Sequence, residues 1–139
     1  MSPWVTELVR QIGLAVVPAA DPARRMMIGM EVLHLIGNGI FLVGLVSLYV
    51  VAPSRWTRWA IYIEGFHLYE HITLTATAFF VGQPIGMSTL FGAVSVIGGR
   101  EFAVGCRVSW HFAMNLLPLP FAMAGMMEYW RQKPSVGRA

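Results

Sequence analysis

Charge is scarce in this chain. Asp, Glu, Lys and Arg make up 12% of its 139 residues, against about 25% in an ordinary soluble domain. Cysteine is scarcer still: Cys106 stands alone, which excludes an internal disulfide and leaves no redox-compartment signal. No lysine lies inside an apolar segment, so a retinal-type Schiff base is excluded. Walker-type phosphate loops, a Ser/His/Asp order and nucleic-acid motifs are absent. The net charge of +3 is no nucleic-acid footprint, because the basic residues stand at segment ends, as in membrane proteins. Residues 1–17 lack the basic start and clean apolar core of a secretory signal.

What is present is apolar. The chain is 56% hydrophobic, with a mean hydropathy of +0.60. Its length suits a single domain, residues 1–139. Residues 1–20 read as an amphipathic helix lying on a membrane surface. Trp4, Leu8, Ile12 and Ala15 recur at helical spacing, and Glu7, Arg10 and Gln11 fall elsewhere around the helix. Pro18 ends it. Asp21-Pro22 then reads as a helix start, with Asp as the cap and Pro at the first helical position.

Three apolar stretches are long enough to span a bilayer: about 26–51, 57–81 and 102–130. The short loop Ala52–Arg55 makes the first two an antiparallel hairpin. Trp56 and Trp59 alternate with Arg55 and Arg58, the dressing of a membrane interface. Pro118 and Pro120 predict a kink in the third stretch. Residues 84–99 are apolar but short, roughly 22 Å as a helix against a ~30 Å hydrocarbon core, and read as a re-entrant or thinned segment. Residues 133–139 read as a disordered tail. The expected fold is an all-α polytopic membrane bundle: three full spans, one short or re-entrant segment and an N-terminal interfacial helix. The plasma (cytoplasmic) membrane is the expected location.

All four histidines lie within these stretches: His34, His67, His71 and His111, with Glu31, Glu64 and Glu70 beside them. An ionisable group in a span costs roughly 2.5–3.5 kcal/mol on insertion scales, so it is normally functional and paired. Depth favours the re-entrant reading. If 84–99 turns back, all four histidines share one layer; if it crosses, His111 moves to the far half and loses its partners. The re-entrant topology puts Arg55, Arg58, Arg131, Lys133 and Arg138 on one side. Arg10, Arg24, Arg25 and Arg100 fall on the other, and the small excess marks the first side as cytoplasmic.

The spacing is that of ligands. Glu31-x-x-His34 and Glu64-x-x-His67 repeat one pattern, and Glu64, His67 and His71 share a helix face, as do Glu31, His34 and Asn38. Arg107, His111 and Asn115 form a third polar stripe. Glu-x-x-His on two helices is the ligand pattern of carboxylate-bridged di-metal bundles, although the third stretch offers no mid-span acid. His67-Leu-Tyr-Glu70-His71 also reads as H-x-x-E-H, in which two histidines hold a zinc ion and the Glu acts as general base. Haem held by two axial histidines is a third option. The bland alternative is interhelical hydrogen-bonding glue, worth roughly 0.6–2 kcal/mol per group. Asn38 and Asn115 fit glue better than ligation. Thr73, Thr75 and Thr77 fit back-bonding to carbonyls. Gly37, Gly44, Gly65 and Gly125 fit close helix approach.

His111-Phe-Ala-Met-Asn115 is similar to one short motif of CAAX-type membrane proteases. The companion Glu-Glu-x-x-x-Arg motif is missing, and so is the eight-histidine pattern of membrane desaturases.

The expectation is a small membrane metalloenzyme acting on a lipid-soluble small molecule. His34, His67, His71, His111, Glu31 and Glu64 are the candidate ligands of zinc or iron, and Glu70 is the candidate base. The alternative is a non-catalytic subunit of a larger membrane complex or homo-oligomer, using the polar layer for haem, proton conduction or assembly. A proton-coupled carrier is a third class. Membrane lipid is an expected partner, and nucleic acid is not.

Overall fold

Proline and short polar caps set the helix boundaries in a computed structural model, which describes residues 2–87, 106 and 109–132. Helix α1 covers Pro3–Val16, α2 Pro22–Val51, α3 Arg55–Phe80 and α4 Pro118–Gln132, and residues 109–116 are helical ahead of α4. No strand occurs among the described residues. Asp21 caps α2 as expected, accepting from the Arg24 backbone N–H at 3.0 Å, with Pro22 at the first helical position. That bond is the first cause holding the Asp21 carboxyl below its usual range. Ser54 caps α3, its hydroxyl accepting from the N–H groups of Trp56 and Thr57 at 3.1 and 3.3 Å.

The loop Ala52–Ser54 returns α3 antiparallel to α2. At the far end the Arg24 guanidinium donates to the Phe79 carbonyl at 3.2 Å, placing a cation on the negative end of α3. Gly82, at φ +82°, then turns the chain. Ile85 N–H donates to the Thr77 hydroxyl at 2.7 Å, and Gly86 lies against Leu74, so residues 84–87 double back over the end of α3. The rest of the expected re-entrant segment, Arg107 and the tail 133–139 lie outside the described residues.

The final helix runs antiparallel to α3. Trp110 meets Glu70 in the middle of α3, and Gly125 meets Thr57 near its start. The expected kink is a break: residue 117 is a turn, and Pro118 restarts the helix. Pro118 lacks an N–H, and its ring clashes with the carbonyl four residues back.

Two glycines decide how α1 sits. A Cβ at Gly13 would overlap the Arg25 carbonyl, and one at Gly29 would overlap the Val9 carbonyl, so backbone crosses backbone where α1 meets α2. This corrects the expectation for Gly37, Gly44 and Gly65, where a Cβ would meet nothing within 4 Å. Gly125 does pack closely, against Thr57 and Ser54. On α1, Val9 and Gly13 are buried against α2, whereas Trp4 and Leu8 stay exposed. Glu7 on its outer side pairs with Arg10 at 2.6 Å, and that hydrogen bond is the first cause lowering its carboxyl to about 2.

Faces are distributed unusually. On α3 the buried positions include Thr57, Glu64, His67, Glu70, His71 and Thr75, while Trp59, Tyr62, Tyr69 and Ile72 are exposed. On α2 Glu31 and Asn38 are buried, while Ile40, Val43 and Val50 are exposed. Among the described residues, α2 is the one helix both long and apolar enough to cross a membrane.

Candidate metal centre

The hairpin brings its polar stripes to one level. Glu31 stands nine residues past Pro22, and His71 stands nine residues before Phe80. In antiparallel helices of ~1.5 Å rise per residue, both lie ~14 Å from the same end. The helical stretch 109–116 adds His111 at that level.

His71 is the hub. Its ring centroid lies 4.8 Å from that of His67, 5.3 Å from that of His34 and 5.6 Å from that of His111. The four histidines singled out by spacing thus converge. His67 and His71 are buried, His111 is half-buried, and His34 is exposed to the surroundings with its ring against His71. Two ligand sets result: His67, His71 and His111 in one, and Glu31, His34 and His71 in the other. Within each set the ligand atoms lie within 4.8 Å of one another.

The ring nitrogens are arranged in a definite order. His67 Nε2 and His71 Nε2 face each other at 3.2 Å. Their Nδ1 atoms point the other way, each toward a carboxylate: His67 Nδ1 lies 3.7 Å from Glu64 Oε2, and His71 Nδ1 lies 3.9 Å from Glu31 Oε2. At these distances the carboxylates face the Nδ1 atoms without hydrogen-bonding them, and a ring that carries its proton on Nδ1 presents a free Nε2 lone pair. At 3.2 Å the two Nε2 atoms are within reach of an Nε2–H···Nε2 hydrogen bond when one ring carries its proton there, and of one shared cation when both carry it on Nδ1. Two nitrogens bonded to one tetrahedral ion at 2.0–2.1 Å would be ~3.3 Å apart.

Burial sharpens the point. Both oxygens of Glu64, Oε2 of Glu31 and Nδ1 of His67 and His71 are buried without a hydrogen bond. A buried polar atom of this kind costs roughly 1–3 kcal/mol, and more when charged. The donor set itself, imidazole with carboxylate, suits zinc or non-haem iron.

Glu64 and Glu70 are both buried on α3 and belong to neither ligand set. Glu64 sits behind His67, on the Nδ1 side. Glu70 Oε2 accepts from the Trp110 indole N–H at 3.0 Å. Sequence reasoning missed Trp110, whose only signal is an indole one residue before His111. Thr75 differs as well: its hydroxyl donates across the hairpin to the Glu31 carbonyl at 3.4 Å, whereas Thr73 and Thr77 do back-bond within α3. Asn115 donates to the His111 carbonyl of its own helix at 2.7 Å. A groove at the other end of the bundle, lined by Trp56, Glu128 and Arg131 among others, is separate from the histidines.

The whole chain, residues 1–139, matches a family of unknown function, DUF6008, and belongs to it. No curated protein and no solved structure matches the chain.

Proposed function

We propose that this chain is a polytopic membrane protein that holds a transition-metal ion between its helices and acts as a metalloenzyme on a lipid-soluble substrate. The carrying observation is the pair of facing Nε2 atoms of His67 and His71 at 3.2 Å, each backed by a carboxylate at Nδ1. His111 supplies the third nitrogen of that set.

The membrane half of the reading rests on faces. Only 11% of the most apolar window of α2 is buried, whereas the core helix of a soluble protein would be mostly buried. Helix α3 has 26 residues, or ~39 Å of length. Its average hydropathy is pulled down by Glu64, His67, Glu70 and His71, all of which point inward. Polar residues facing the bundle and aromatic or aliphatic residues facing out are what a lipid solvent selects. Residues 109–132 run antiparallel to α3, from its middle to its start, which supports a third span beside the hairpin.

In the catalytic role a bound ion supplies Lewis acidity at mid-depth. His67, His71 and His111 hold it, and Glu64 orients His67 through Nδ1. Glu70, anchored by Trp110 and outside both ligand sets, would serve as the base that holds a proton for the reaction. Exposed His34 gives the centre an edge toward lipid, from which an apolar substrate would approach.

Elemental analysis of the purified chain, with His71→Ala and Glu70→Gln beside it, tests the reading. The expected result is a transition metal in the parent, its loss in His71→Ala and its retention in Glu70→Gln. Equal metal loss in both variants would make Glu70 a ligand instead of a base. An unmetallated parent, with both variants as stable as it, would defeat the metal reading.

A further inference from the structure

We propose that His71 bridges two metal ions, one on each ring nitrogen, with Glu31 and His34 completing a second site beside the three-histidine one. The inference rests on the metal-centre reading above.

The two nitrogens of an imidazole lie on opposite edges of the ring, and both edges of His71 face ligands. Nε2 faces His67 Nε2 at 3.2 Å. Nδ1 faces Glu31 Oε2 at 3.9 Å, too long for a hydrogen bond. Both of those last atoms are buried and lack a hydrogen bond. Glu31, His34 and His71 form a set of three residues with one ligand atom each within 4.8 Å of the others, and Nδ1 is the His71 nitrogen that faces Glu31. The two sets have only the His71 ring in common. A contraction of about half an ångström would bring Nδ1 and Oε2 to the ~3.3–3.5 Å expected of two ligands on one ion.

His34 supplies an independent reason. It stands twelve residues into α2, mid-helix, exposed but with its ring against His71. An imidazole facing lipid at that depth is costly unless engaged. Its neighbours Glu31 and His71 offer a shared cation as the engagement. In the singly occupied state Nδ1 of His71 carries a proton directed at Glu31. When the second ion binds, the Nδ1–H bond breaks, an Nδ1–metal bond forms and the proton leaves to bulk water. The Glu31 carboxylate and the resulting imidazolate together offset the charge of a divalent ion. His, Glu and imidazolate donors suit zinc, copper or non-haem iron. Three protein ligands on an exposed edge leave a position open to an incoming molecule.

The test is zinc stoichiometry of the full chain in detergent, stripped with a chelator, loaded with zinc and desalted. The parent should hold about two zinc ions per chain, and His34→Ala and Glu31→Gln about one each. Thermal melting followed by circular dichroism reports whether each variant is folded. Should His34→Ala fail to fold, Glu31→Gln carries the test. About one zinc in the parent would overturn the second site and leave the three-histidine site standing. Either folded variant retaining two ions, or losing both, would also overturn it. No zinc in the parent would remove the underlying reading as well.

Discussion

Glu64 is the residue on which the electrostatics turn. It is fully buried, neither carboxylate oxygen has a hydrogen bond, and Nδ1 of His67 lies 3.7 Å from its Oε2. As a carboxylate orienting a ligand histidine it should tune metal affinity without touching the ion. Glu64→Leu should therefore weaken zinc binding by about 10–100-fold. The metal-free protein should melt no lower than the parent, because leucine removes a buried carboxylate that has no hydrogen bond to lose. A zinc titration and a melting curve of the stripped protein separate the two effects. Unchanged affinity with lowered stability would make Glu64 a packing residue. At this scale the sequence was informative where chemistry is rare. Buried charge in an apolar stretch is so costly that Glu31, Glu64, His67 and His71 announced themselves. Trp110 did not, because an indole in a span is indistinguishable from lipid-facing bulk until its N–H is seen on Glu70.

At the scale of elements, helices meet where backbones can touch. The α1–α2 crossing depends on Gly13 and Gly29, each with no room for a Cβ, whereas Gly44 sits in open space. Gly29→Val should separate α1 from α2 and lower stability by about 1–3 kcal/mol, the usual cost of overpacking. Gly44→Ala should be neutral or raise stability by up to about 1 kcal/mol through helix propensity. Chemical denaturation of both variants checks the contrast, and similar effects at the two positions would refute the close crossing. Helix starts were legible because capping is local: Asp21-Pro22 carries its own signal. Glycine contacts were not, since Gly37, Gly44, Gly65 and Gly125 look alike in sequence and only the last meets a neighbour. The break at residue 117 was legible as a proline effect, though the sequence suggested a kink.

For the whole molecule the central issue is which ends lie together. Gly125 against Thr57 and Trp56 against Phe121, ring centroids 6.1 Å apart, put α4 at the end of the bundle where α3 begins. In a three-span topology, cysteines introduced at Ser54 and Gln132 should be labelled from the same side of a sealed vesicle. Labelling from opposite sides would require the chain between α3 and the final helix to cross the membrane. The convergence of the four histidines was anticipated from burial cost, while the number of spans is left to the labelling. Helix α3 shows why hydropathy by itself is insufficient: an average over all faces cannot distinguish inward-facing histidines from solvated ones.

The central claim is a metal ion held by imidazole nitrogens between these helices. X-ray absorption at the metal edge of the purified, unsupplemented protein tests it most directly. The account predicts a first shell of nitrogen and oxygen at about 2.0–2.1 Å, with the outer-shell scattering of at least two imidazole rings, lost in His67→Ala. A spectrum without imidazole scattering, a sulfur shell near ~2.3 Å, or no metal edge at all would contradict it.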